Sequence, residues 1–206
     1  MPTPPVPLAP SAVVDRLVAT VLASPAARPR VALDGAPVTR PDDLADALVD
    51  PLRAAGRPVV RAHARDFLRP ASIRLEHGHH DADALLEDWL DERGLRRELL
   101  DPFVVDGRHV RSLWDAERDR ATRAPYETAP LGSVLLLDGA LLLGRGLPFD
   151  LAVHLAVRTA TLERRTPDGD RWTLPAFERY DDVHRPADVA DVVLHVDDPR
   201  RPAWSG

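Results

Sequence analysis

The run VALDGAPVTRPDDLADAL, from Val31 to Leu48, decides how the rest of the chain is read. Val31, Ala32 and Leu33 make a short apolar strand that stops at Asp34-Gly35. Beyond the turn, Leu44, Ala45 and Leu48 recur at helical spacing. Pro41 suits the first helical turn, where its missing N–H is not needed. Thr39 followed by Asp42 comes close to a Thr-x-x-Glu capping box, and Asp42 and Asp43 suit the positive end of a helix. The local reading is a buried strand, a turn and a capped amphipathic helix.

A strand running through a glycine turn into a helix is also the frame of the Walker phosphate loop, G-x-x-x-x-G-K-[ST]. There the glycines let backbone N–H groups approach phosphate, the lysine reaches the outer phosphates and the hydroxyl holds Mg²⁺. Laid on Gly35, the pattern puts Arg40 on the second glycine, Pro41 on the lysine and Asp42 on the Ser/Thr. Each change harms phosphate binding by its own route. Arg40 adds a Cβ, Pro41 donates no N–H, and the two aspartates bring carboxylates to the helix end that would attract an anion.

Outward from that stretch, 206 residues with 44% hydrophobic and 29% charged content suit one globular domain. A net charge of -6 argues against nucleic acid and anionic membrane as partners. With no cysteine, thiolate metal sites and cysteine nucleophiles are excluded. The start, MPTPPVPLAP, lacks a basic end and a continuous apolar core, so a cytoplasmic location is expected. All 27 basic residues are arginine, so no lysine elsewhere can stand in for the missing loop lysine.

Along the chain, Pro2 to Pro10 reads as an extended lead, and Ser11 as the cap of a helix carrying Val13, Val14, Leu17, Val18, Val21 and Leu22. The helix after the glycine turn is expected to reach about Ala55, kinked or ended early at Pro51, with Gly56 as its stop. Residues 57–62, 134–139, 150–155 and 189–196 read as further strands. Residues 81–100 read as helical, broken at Gly94 and ended by Asp101-Pro102. Residues 104–130 read as irregular, 159–165 as a short helix and 164–185 as polar and mobile. The polar loop HARDFLRPASIRLEHGHH lies at the carboxyl end of a strand, where α/β sheets place their ligands. His77, His79, His80 and Asp81 within it have the chemistry of metal ligands, although neighbours in a loop seldom close a site unaided.

In order, the segments VALDG, RPVVRAHARDFLRP, GHHDADALLEDWLD, LRRELLDPF, LLLDGALLLGR, FDLAVHLAV and ADVVLHVDDP resemble the uridine kinase family of P-loop nucleoside kinases, from about Arg30 to Pro199. The resemblance implies a three-layer α/β, P-loop kinase-like domain over residues 29–206. A mainly parallel sheet of about five strands would have helices on both faces, with residues 1–28 as a proline-rich lead and helix. The common position of Asp34, Asp66 and Asp138 at the carboxyl ends of apolar runs places them near one edge of that sheet. The resemblance implies catalytic roles for Asp66 and Arg40, and a nucleotide site of Gly35, Thr39, Arg40, Asp42, Asp138, Arg164 and Arg165. The nucleoside would meet Asp66, Phe67, Asp88, Arg111, Trp114 and Arg158, with Asp91 close by; no metal ligand is assigned. Where family members carry an acid two residues before the phenylalanine, this chain has Arg65.

The expected function is therefore a catalytically impaired or repurposed relative, a pseudokinase that binds a nucleoside, nucleotide or similar small polar ligand. The cofactor is open on this reading. An active kinase, with ATP and Mg²⁺ and arginine in place of the Walker lysine, is the enzyme alternative. A structural partner protein is the other alternative, and homo-oligomerisation is open on every reading.

Overall fold

The computed structural model describes residues 4–206, so Pro2 and Thr3 of the lead lie outside the described residues. The elements in order are β1 (Val6–Pro7), α1 (Pro10–Leu22), β2 (Arg30–Asp34), a 3-10 turn (Pro37–Thr39), α2 (Pro41–Ala54), β3 (Val59–His63), a second 3-10 turn (Ala64–Phe67) and α3 (Ala71–Arg74). Next come α4 (Ala82–Glu87), α5 (Glu92–Leu95), a π turn (Arg96–Leu100), α6 (Asp101–Val105) and two small ribbons, β4 (Arg108–His109) with β7 (Glu127–Thr128) and β5 (Trp114–Asp115) with β6 (Arg120–Ala121). The chain closes with β8 (Val134–Gly139), β9 (Leu151–Ala156), α7 (Thr159–Arg165), a 3-10 segment (Asp168–Thr173), α8 (Leu174–Val183), α9 (Pro186–Val189), β10 (Val192–His195) and β11 (Ala203–Ser205).

The sheet has seven strands, in the order β1-β11-β10-β9-β2-β8-β3. Five of them, β10 to β3, are parallel, as the apolar runs predict. The count of about five is corrected by two antiparallel edge strands, β11 and β1, formed by the tail and the proline-rich lead. Edge pairing asks little of apolar patterning, and Pro7 is tolerated there because an edge strand can spare an N–H. From β2 the chain passes to β3 on one side of the sheet, and from β8 it passes to β9 on the other. The neighbours β2 and β8 therefore flank a crevice at their carboxyl ends, where such folds receive ligands.

Alternation along the strands builds both cores. Val31, Leu33, Val134 and Leu136 face α1 and α2, where Val13, Leu17 and Val21 meet Ala45, Leu48 and Leu52. Ala32, Leu135 and Leu137 face α4 to α8, against Phe67, Leu99, Leu100, Phe103 and Phe177. Each fully buried Leu or Phe contributes about 1.5–3 kcal/mol, so this two-sided burial dominates the stability of the sheet.

Several local expectations are corrected. Ala9, not Ser11, precedes α1, because Pro10 takes its first turn. Helix α2 runs past Pro51 to Ala54, although Gly56 does turn the chain, at φ 78. The break in residues 81–100 falls before Gly94: the Asp91 carboxylate accepts the Gly94 N–H and so starts α5. Helix continues through Pro102, and the carbonyl of Glu98, four residues before it, accepts the Val110 N–H at 3.0 Å in place of the N–H that proline lacks. The ribbons β4–β7 and β5–β6 order part of the segment read as irregular. Residues 164–185, read as mobile, are largely helical, because Ala176, Phe177 and Tyr180 bury one stripe of α8.

Candidate functional site

At the carboxyl ends of β2 and β8 the loop after Asp34 turns in on itself. The Gly35 N–H donates to Gly139 O, joining this loop to the end of β8. The Thr39 and Arg40 N–H groups donate to Ala36 O and Pro37 O, closing the 3-10 turn, and Pro37 and Pro41 have no N–H to offer. Thr39 does not form the capping box. Its Oγ1 donates to Ala36 O at 2.7 Å and fills the space beside Gly35, where an added Cβ would lie 2.5 Å from it.

Arg40, at φ 55, is the residue before α2, and its guanidinium pairs with Asp42 and Asp43. Burial works against the Asp42 carboxylate, yet the hydrogen bond and charge of Arg40 hold it below the usual range. Such exposed pairs contribute little stability. They do bring three charged side chains together at the helix end where a phosphate would sit.

Asp138, on β8 beside β3, faces Arg61 Nη1 at 2.7 Å and His63 Nδ1 at 2.8 Å. Arg61 also reaches Asp46 on α2 at 2.9 Å. Asp138 Oδ1 is buried, and although Arg61 and His63 approach it closely, neither is aligned with it as a hydrogen bond; His63 Nδ1 bonds the other oxygen, Oδ2, at 3.1 Å. One strand over, Asp34 is fully buried and accepts from Leu142 N–H at 2.9 Å, His154 Nδ1 at 2.8 Å and Tyr180 O–H at 3.1 Å. The Tyr180 oxygen in turn accepts Leu143 N–H at 2.7 Å. Burial beside Asp34 pushes the Tyr180 phenol far above its ordinary range.

Above these strand ends lies a cleft of about 630 Å³. Gly35, Arg40, Asp42 and Asp138 line it, together with Arg65. Most of the wall is apolar, from Val38, Leu85, Leu86, Leu90, Leu162 and Phe177, with Trp89 and Trp172. The two indoles lie 5.8 Å apart between centroids, and His80 lies 5.4 Å from Trp172. Arg145, only 5% exposed at its side chain, donates to Leu141 O and Glu92 and so ties the end of β8 to α5.

The remaining expected site residues stand outside this cleft. Phe67 is wholly buried in the core, and Asp66 begins the neighbouring hairpin contact through Leu113 N–H; burial raises the Asp66 carboxyl, with His63 and Arg65 pulling the other way. Asp88 faces Arg69 at 3.5 Å, Arg111 pairs with Glu127, and Trp114 donates to Asp119. Arg158 pairs with Asp197, Arg164 donates to Thr161, and Arg165 donates to Val196 O and Asp197 O. Among the described residues no cluster of three His, Asp or Glu side chains could hold a metal ion, and of the histidine loop only His80 reaches the cleft's aromatic pair. Reading by motif passed over Trp89, Trp172 and Arg145. The signal for the tryptophans was their position in polar segments, where a large aromatic has no core to join.

The fold is that of the P-loop kinases. A "possible uridine kinase" from Bacillus stearothermophilus superposes with a TM-score of 0.73 at 21% identity, covering 89% of this chain and 97% of that one. A "putative fructose transport system kinase" from Silicibacter sp. TM1040 does so with a TM-score of 0.60 at 23% identity, covering 89% and 90%. No family model matches the chain. No curated protein matches it in sequence. Asp34, Asp66 and Asp138 follow adjacent parallel strands β2, β3 and β8, as expected of that fold. Among the described residues no helix is long and apolar enough to cross a membrane.

Proposed function

We propose that this kinase-like protein binds a small, flat ligand of nucleoside or nucleotide type in the cleft and does not transfer phosphate from ATP. The observation that carries the reading is the closed loop. Its Thr39 and Arg40 N–H groups are used within the turn, prolines stand at 37 and 41, and Arg40 meets its own helix's carboxylates. The residues present do not fit MgATP. A phosphate nest needs several free N–H donors and a hydroxyl for Mg²⁺, and here the Thr39 hydroxyl is bonded inside the turn while Asp138 already has Arg61 as a counter-charge and the His63 ring beside it.

What the cleft offers instead is an apolar wall, two indoles and a few polar groups, the usual make-up of a small-molecule site. Stacking of a base on an aromatic side chain is worth about 1–3 kcal/mol. Tryptophan fluorescence and calorimetry with a panel of nucleosides and nucleotides test the reading. One member is expected to bind, and Trp172→Ala should weaken it about tenfold, as loss of one stacking contact implies. MgATP should bind at millimolar strength or worse. Micromolar MgATP affinity with phosphate transfer would restore the active-kinase alternative. A panel that leaves fluorescence and heat unchanged would favour the structural-partner reading.

A further inference from the structure

Arg65 stands just past the end of β3, in the 3-10 turn Ala64–Phe67, and that turn is firmly anchored. Ala64 and Phe67 are buried, the Phe67 carbonyl accepts the Asp91 N–H at 2.8 Å, and the Asp66 carbonyl accepts the Leu113 N–H at 2.8 Å. Gly139 lets the turn lie directly against the end of β8: a Cβ there would stand 2.5 Å from the Ala64 Cβ. Arg65 itself is exposed and lines the cleft together with Asp138 and Gly139.

The other cations of the cleft wall are already answered. Arg40 is paired with Asp42 and Asp43, and Arg145 with Glu92, while Asp138 has Arg61 behind it. Arg65 has no ion pair and no hydrogen bond among the described residues; its charge acts on the carboxyl of its chain neighbour Asp66 without bonding it. Asp170, on the segment that carries Trp172, is the one acid of the wall left without a cation among those residues. The cleft therefore offers a single unpaired guanidinium in a wall that also holds Asp42, Asp138 and Asp170. A guanidinium presents a planar fork that matches a carboxylate or a phosphate with two parallel hydrogen bonds.

Resting on the reading of the cleft as a site for a small, flat ligand, we propose that this ligand carries one anionic group, a phosphate monoester or a carboxylate, and that Arg65 is the residue that selects it. The ring lies on the Trp89 and Trp172 wall while the anionic group meets the Arg65 fork. A neutral nucleoside leaves the guanidinium unused. A triphosphate brings more negative charge than one guanidinium answers, against three nearby carboxylates.

The test is calorimetry on the full chain at fixed ionic strength. For each of the four common bases it compares the nucleoside, its 5′-monophosphate, its 5′-carboxylate and its Mg²⁺-bound 5′-triphosphate. For a base that binds, the monophosphate or the carboxylate is expected to bind about tenfold or more tightly than the nucleoside and the triphosphate, as one charge-assisted contact implies. Which of the two is tighter identifies the anionic group. Arg65→Gln, at an exposed position where circular dichroism should be unchanged, is expected to erase that advantage. Arg65→Lys, which keeps the charge without the fork, should keep part of it. Trp172→Ala should weaken nucleoside and monophosphate by the same factor. A nucleoside that binds as tightly as its monophosphate and carboxylate, and depends on Trp172, would overturn the anion selection while leaving the reading of the cleft standing. An advantage that survives Arg65→Gln would remove Arg65 from the role, and a panel in which nothing binds would overturn both.

Discussion

Asp34 and Asp138 end neighbouring parallel strands one register apart, yet they face opposite sides of the sheet and are stabilised in different ways. Asp34 points toward α8 and is surrounded by a backbone N–H, a phenol and an imidazole. Asp138 points toward α2 and meets the Arg61 guanidinium, which is shared with Asp46, and the His63 imidazole. Oriented donors satisfy a buried carboxylate's lone pairs directly, and removing one end of such a network orphans every partner. A guanidinium counter-charge acts on the charge with less demand on geometry, and one oxygen of Asp138 is left without an aligned bond. The same residue type, at adjacent strand ends, thus serves as a structural node on one face and as a charge-balanced acid beside the cleft on the other.

The comparison breaks most easily at Asp34. Asp34→Ala leaves the Leu142 N–H, the Tyr180 O–H and the His154 Nδ1–H without an acceptor at a fully buried position. Urea denaturation should show a loss of about 3–5 kcal/mol. A loss below about 1 kcal/mol, the net worth of a single ordinary hydrogen bond, would mean that the network is not a node.

Asp138→Asn removes the charge but keeps the shape, leaving Arg61, 13% exposed at its side chain, with the outer Asp46 as its one carboxylate partner beside the Leu136 carbonyl. About 2–3 kcal/mol should be lost. In a double-mutant cycle with Arg61→Met, much of that loss should return as coupling energy, about 1–3 kcal/mol for groups in direct contact. Additive losses would show that the two charges do not depend on each other.

Tyr180→Phe should cost least at neutral pH, about 1–2 kcal/mol for the Leu143 N–H left unpaired and the donor lost to Asp34. Its sharper effect is on pH dependence. Burial raises the Tyr180 phenol in the folded chain, whereas in the unfolded chain it ionises near ~10. Above that pH the folded state holds the extra proton, so stability is present below ~10 and falls as pH rises past it. Tyr180→Phe should flatten that alkaline decline. An unchanged slope from pH 9 to 11 would place the titrating group elsewhere.

The order of strands and helices was legible because burial acts through short periodicities. A continuous apolar run such as Val134–Leu137 can be satisfied in few ways, and residues 159–165 form the helix their pattern describes. Features that rest on sparse apolar residues escaped the pattern. Helix α8 rests on Ala176, Phe177 and Tyr180 within a polar stretch, and β1 and β11 on edge hydrogen bonds. The unsuitability of Pro41 and Arg40 for a phosphate nest is a matter of their own chemistry and could be read directly.

By itself, then, the sequence determined the parallel α/β core, the strand-to-helix turn at Gly35 and the absence of the Walker residues, since each depends on residues near one another in the chain. The tertiary structure decided which groups meet. Asp34 lies 120 positions from His154, Trp89 reaches Trp172 only through the packing of α4 beneath the segment after α7, and Asp138 finds Arg61 because β3 and β8 are paired. Such contacts depend on strand order and helix placement, which the summed burial of the whole chain selects and no local stretch encodes.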